Sequence, residues 1–182
     1  VRLSACRANL AGIGRRQKLR LRWYDSLRPG RVVFFEIKWR DNRVTGKHRL
    51  QLRSSQPLAS MTYRQIINAL IQRKPLQNVG LVLLSNEQIV IVEYKREHFA
   101  SADGSLRITL DYDLTFYDQA GKSKVNTSFP HRLRDLVVVE GKTPIGRERE
   151  LRELVYPLSL RVGRCSKNVH GCRLLGLVSS AA

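Results

Sequence analysis

A chain of 182 residues with 42% hydrophobic content is long and apolar enough for one domain with a sizeable core, and we expect a single domain over 1–182. No run approaches the ~20 consecutive apolar residues of a membrane span, and residues 1–7 do not read as a signal peptide. With 33 Lys+Arg against 15 Asp+Glu the net charge is +18, which implies a polyanionic partner: nucleic acid, an anionic membrane surface or a phosphate chain. The sequence opens on Val1 rather than Met and is expected to begin partway into a longer protein. Three cysteines, Cys6, Cys165 and Cys172, are too few for a disulfide framework and fit a reducing, cytoplasmic compartment. His170, Cys172 and Cys165 lack the paired spacing of a structural zinc site.

The charge is spread along strands rather than gathered in a tail. Gly12-Ile13-Gly14 reads as a turn, and Arg15-Arg16 as a solvated strand start. Lys18, Arg20 and Arg22 then alternate with Leu19, Leu21 and Trp23, which puts the cations on one strand face. Glu36, Lys38 and Arg40 share a face of the next strand. A turn is expected over 41–46, and beyond it Lys47, Arg49, Gln51 and Arg53 alternate with His48, Leu50 and Leu52. Trp23 and Trp39 fall on apolar faces, as outer packing under helices. Thr62-x-x-Gln65 is a capping box ahead of the stripe Ile66, Ile67, Leu70 and Ile71, and Lys74-Pro75 is expected to end that helix.

Residues 89–96 form a long strand with Tyr94 and Arg96 on one face and Glu93 and Lys95 on the other. Asp103-Gly104 makes a turn into the alternating strand Arg107-Ile108-Thr109-Leu110-Asp111. Residues 136–142 place Glu140 and Lys142 on one face of an otherwise apolar strand. A charged, exposed helix is expected over 146–154, and a helix near Ser166.

One such strand reads as a half-buried sheet with a solvated face. Several together suggest a sheet that curls and gathers its ionic faces into a lumen. A lumen lined with unpaired cations is costly unless it stays wet and takes in an anion. Phosphate chains suit it, because Arg forks onto two oxygens and Lys offers a compact charge. Glu36 and Glu140 read either as ion-pair partners of nearby lysines or as carboxylates holding a divalent cation, and Glu140 is the better metal candidate. The chain has no Gly-x-x-x-x-Gly-Lys loop, which argues against a P-loop enzyme. With 7% aromatics and no obvious stacking platform, nucleic acid is an unlikely partner.

The series Lys18-Leu-Arg20-Leu-Arg22-Trp-Tyr24, Glu36-Ile-Lys38, Glu93-Tyr94-Lys95-Arg96-Glu97, Arg107-Ile-Thr109-Leu-Asp111 and Val139-Glu140-Gly-Lys142 resembles the VTC (vacuolar transporter chaperone) domain. That domain is the polyphosphate-polymerase branch of the triphosphate tunnel metalloenzymes, and the resemblance spans roughly residues 10–175. It implies an α+β fold built on an antiparallel β-tunnel (barrel) with a few flanking helices. It implies transfer of the γ-phosphate of ATP onto a polyphosphate chain, with Mn²⁺ or Mg²⁺ as cofactor. By position, Arg20, Arg22, Lys38 and Arg96 would be the catalytic cations. Lys47, Arg49, Tyr94, Arg107, Lys142 and Lys167 would join them in holding phosphate, and Glu140 would be the metal ligand. The family's first tunnel strand, with its acids and lysine, has no counterpart before Lys18, so the first strands are expected to lie outside this sequence. Asn168 stands where the family has Tyr. Triphosphate hydrolysis in the same tunnel, and polyphosphate binding without catalysis, remain alternative readings.

Overall fold

Alternation of cation and apolar residue builds the first sheet. In the computed structural model, which describes residues 3–42, 44–73, 84, 86–160, 163 and 165–178, the antiparallel strands β1 (Arg15–Arg22), β2 (Val32–Asp41) and β3 (Val44–Arg53) lie in that order. Their register aligns Lys18, Lys38 and Lys47 in one row and Arg20, Glu36 and Arg49 in the next. The opposite face is apolar, as period two requires. Val33, Phe35 and Leu52 are buried there against Leu58 and against Tyr63, Ile66 and Leu70 of α2 (Tyr63–Ile71). Each of these aliphatic side chains contributes roughly 1.5–3 kcal/mol by leaving water. The capping box forms as expected: Thr62 Oγ1 accepts from the Gln65 amide and Gln65 Oε1 from the Thr62 amide.

The second sheet is organised by β5 (Arg107–Asp118). β4 (Val90–Ala100) pairs along one edge, while β6 (His131–Leu133) and β7 (Val138–Lys142) share the other. A bulge interrupts β4–β5 between Glu93 and Lys95, with Asp113 at φ 53°. The extra residue in β5 brings Asp111 and Leu114 onto the same face. One face of a single strand thus carries a polar half, Thr109 and Asp111, and an apolar half, Leu114 and Phe116.

Helix α4 (Lys167–Leu174) packs on β4 and brings Gly171 against Phe116 of the apolar half. Gly171 permits that approach, because a Cβ there would lie 2.5 Å from the Phe116 ring. Helix α1 (Ser4–Leu10) packs on α4 and β1 and buries Cys6 beside Cys172. Helix α3 (Glu148–Val155) sets Leu151 over Gly141. The two sheets are tied together by Tyr63, whose hydroxyl donates to Gln119 Oε1 at 2.6 Å and whose amide donates to the Ser123 carbonyl.

The α+β class, the antiparallel sheets and the few helices agree with expectation. Among the described residues no ladder joins the two sheets, and no closed barrel is found among them. The turn expected over 41–46 is tighter, because Asp41 already pairs with Val44. Trp39 lies over Gly46 of β3. Helix α1 was not expected, for residues 4–10 carry no apolar stripe. Lys74-Pro75, the expected stop of α2, lies outside the described residues. No helix among those described is long and apolar enough to cross a membrane.

Replacing Gly171 with Ala should drive a methyl into the Phe116 ring and cost about 1–3 kcal/mol. Urea titration would report it as a lower midpoint at unchanged slope. An unchanged midpoint would show that α4 does not seat on Phe116 at this distance.

Candidate phosphate-binding groove

The ionic faces of the two sheets look toward each other. Arg22 Nη2 of β1 donates to the Tyr94 hydroxyl of β4 at 3.4 Å. Lys38 of β2 feels the charges of Glu140 and Lys142 of β7. These two interactions bring β1 and β2 up to β4 and β7, and the space between the two ionic faces is the candidate groove.

Each wall is built around one buried carboxylate. On the first, Glu36 is fully buried and accepts from Arg20 Nε at 3.0 Å and from Arg20 Nη2. Arg49 Nε stands 3.7 Å from its other oxygen, which has no hydrogen-bond partner. Burial alone would raise the Glu36 pKa. The Arg20 hydrogen bond and the charges of Arg20, Arg22 and Lys38 outweigh it and hold the group below the ordinary carboxylate value. On the second wall Asp111 is also fully buried. It takes a forked contact from Arg96, with Nη2 at 2.5 Å, and an ion pair from Lys167 at the head of α4. Burial pushes the Asp111 carboxyl upward, but Arg96 and Lys167 keep it depressed and ionised. Arg96 and Lys167 both lie about the Tyr94 ring, at 5.3 and 5.2 Å from its centroid.

The remaining cations are less compensated. Burial first, then the Arg20 and Lys38 charges, lower the Lys18 pKa to about 8. Lys38 is likewise lowered to about 8 by desolvation and then by Arg20. Lys47 is exposed in the same row. Arg107 and Lys142 are exposed cross-strand partners where β5 meets β7. Glu140 is half-exposed and pairs with Lys142 Nζ at 3.4 Å and with Arg96 Nη2 at 3.8 Å. Its cross-strand neighbour Thr109 buries a hydroxyl with no partner.

The sequence-predicted residues thus divide. Arg20, Arg22, Lys38 and Arg49 line one wall, and Tyr94, Arg96, Lys142, Lys167 and Glu140 the other, while Lys47 and Arg107 sit at exposed margins. Glu36 takes the ion-pair reading left open for it. Two residues were missed. Asp111 was visible only as part of a motif, since nothing in a sequence shows that Arg96 and Lys167 meet on it. Lys18 stood in the alternating row and was passed over for Arg20 and Arg22.

Among the described residues no three of His, Cys, Asp and Glu are grouped to hold a metal ion. Glu140 is a single, accessible carboxylate facing a cationic groove. Such a donor set suits a hard cation that takes one or two carboxylates and completes its shell with water and substrate phosphate.

Residues 2–176 match the VTC domain, so the chain belongs to that family, which is related to polyphosphate. No curated protein and no solved structure matches it.

The depressed Lys18 predicts a pH signature. The folded state disfavours the charged amine, so the destabilisation is full below about pH 8 and disappears as pH rises toward the ordinary value of 10.5. Lys18→Met should therefore be more stable than the parent chain at pH 7, by a margin that shrinks between pH 8 and 10.5. Urea midpoints across that range would check it, and a margin independent of pH would contradict it.

Proposed function

We propose that this chain is a polyphosphate polymerase-type phosphotransferase whose two sheets act as facing walls of a cationic tunnel. The observation that carries the reading is the pair of opposed walls, each fixing its arginine on a buried carboxylate. Arg20 and Arg96 are thereby held in single orientations, with remaining N–H donors free to meet an anion.

In the reaction, an oxygen of a polyphosphate end attacks the γ-phosphorus of ATP, the bond to the β-phosphate oxygen breaks, and ADP leaves. The acceptor oxygen is already ionised, so no strong general base is needed. Catalysis then consists of alignment and charge neutralisation. Arg20, Arg22 and Lys38 would grip the chain from one wall, and Arg96 and Lys167 from the other. Lys18, Lys47, Arg49, Arg107 and Lys142 would extend the grip at the flanks. Tyr94 would donate through its hydroxyl. Glu140 would hold Mn²⁺ or Mg²⁺, which would supply positive charge to the phosphates. The pairing of Glu140 with Lys142 and Arg96 favours a second reading, phosphate binding without transfer, in which these cations keep the carboxylate to themselves.

Incubation with ATP and Mn²⁺, followed by gel separation, should give a ladder of phosphate polymers. Glu140→Ala should abolish the ladder while tripolyphosphate still binds. Free phosphate without a ladder would mean hydrolysis. Binding with no turnover in either form would leave the groove as a binding module.

A further inference from the structure

One end of the groove departs from its ionic pattern. Along the charged face of β2 the series is Phe34, Glu36, Lys38, Arg40, so an aromatic ring stands where a charge is due. Register places Phe34 between Arg22 of β1 and Gln51 of β3. Just beyond β1, Tyr24 meets the Phe34 ring edge-on, with centroids 5.9 Å apart at 68°. The Arg49 guanidinium lies 3.7 Å from the Phe34 centroid and donates from Nη2 to the Tyr24 hydroxyl at 3.2 Å. The Arg22 guanidinium lies 5.0 Å from the Tyr24 centroid while reaching Tyr94 on the opposite wall. Tyr24 is nonetheless 48% exposed.

Packing does not account for this cluster. The apolar core under β1–β3 lies on the other face, against α2. Two rings and two guanidinium planes at the mouth of a phosphate groove make a surface for a flat aromatic ligand. Nucleobases stack on such rings and on arginine planes without needing a base-specific pattern. The placement also fits a nucleotide's shape. From Phe34 to Lys38 the strand advances four residues, about 13 Å. A base held at Phe34 would therefore send its phosphates past Glu36 and Arg20 toward Lys38.

We infer that Tyr24 and Phe34, backed by Arg22 and Arg49, form the base-stacking site for a nucleoside triphosphate and set the direction in which it enters the groove. This rests on the phosphate-groove reading above. A base on this platform makes the triphosphate tail the leading end, with the γ-phosphate deepest between the walls. Stacking tolerates any base, so the site should prefer purines to pyrimidines only by their larger ring.

Calorimetric titration of ATP, CTP and tripolyphosphate separates the two readings. In Tyr24→Ala the ratio of ATP to tripolyphosphate affinity should fall about tenfold from that of the parent chain. Tyr24→Phe should keep the parent ratio, because it keeps the ring. Phe34→Leu, which keeps apolar volume, should lower the ratio and guards against a folding defect in the first variant. An unchanged ratio in both Tyr24→Ala and Phe34→Leu would overturn the platform while leaving the groove intact. No binding of either ligand to the parent chain would overturn the groove reading and the platform with it. A single-stranded oligonucleotide that depends on Tyr24 while ATP does not would assign the platform to nucleic acid and overturn the inference.

Discussion

Everything in the groove depends on burying a carboxylate among cations. Glu36 and Asp111 are fully buried, and each has arginine against it. A buried ion pair is weak evidence for stability, since desolvation offsets most of the attraction. Its value here is orientation. Arg20 and Arg96 are each fixed by a carboxylate of their own wall, which leaves part of each guanidinium's N–H donors unused by that carboxylate. The carboxylates neutralise only part of each wall. Burial first, and then the charges of neighbouring cations, lower the Lys18 and Lys38 pKa values to about 8. On the reading proposed above, an anion entering such a groove would replace repulsion with pairing.

The bulge at Asp113 is the structural device that allows this. Without the extra residue, the apolar half of β5 and its polar half would face opposite sides. With it, Phe116 meets Gly171 of α4 while Asp111 takes Lys167 from the start of that same helix. Packing in one half therefore delivers a cation to the other. Gly171 makes the seating close, and the Asp111–Lys167 pair sets the position of the helix along the strand.

Much of this was legible in the sequence because strand periodicity is strict. The rows Lys18–Arg20–Arg22 and Glu36–Lys38 landed on one face, the capping box at Thr62 formed, and the family motifs matched. The parts that were not legible depend on contacts between distant segments. Tyr24 and Phe34 are ten residues apart and meet only through register, so the sequence offered no stacking platform. Asp111 gains its role from Arg96 and Lys167, which come from different elements. Helix α1 has short, mixed residues and is held by its packing on α4 and β1 rather than by its own periodicity. Glu36 could not be divided between ion pair and metal ligand until its burial and its arginine partner were seen.

On the proposed reading one polyanion is gripped from both sheets at once. A crystal structure of the chain with tripolyphosphate tests it most directly. Phosphate oxygens should lie within hydrogen-bonding distance of Arg20 and Arg22 on one wall and of Arg96 and Lys167 on the other. Tripolyphosphate bound to one wall alone, or outside the groove, would contradict it.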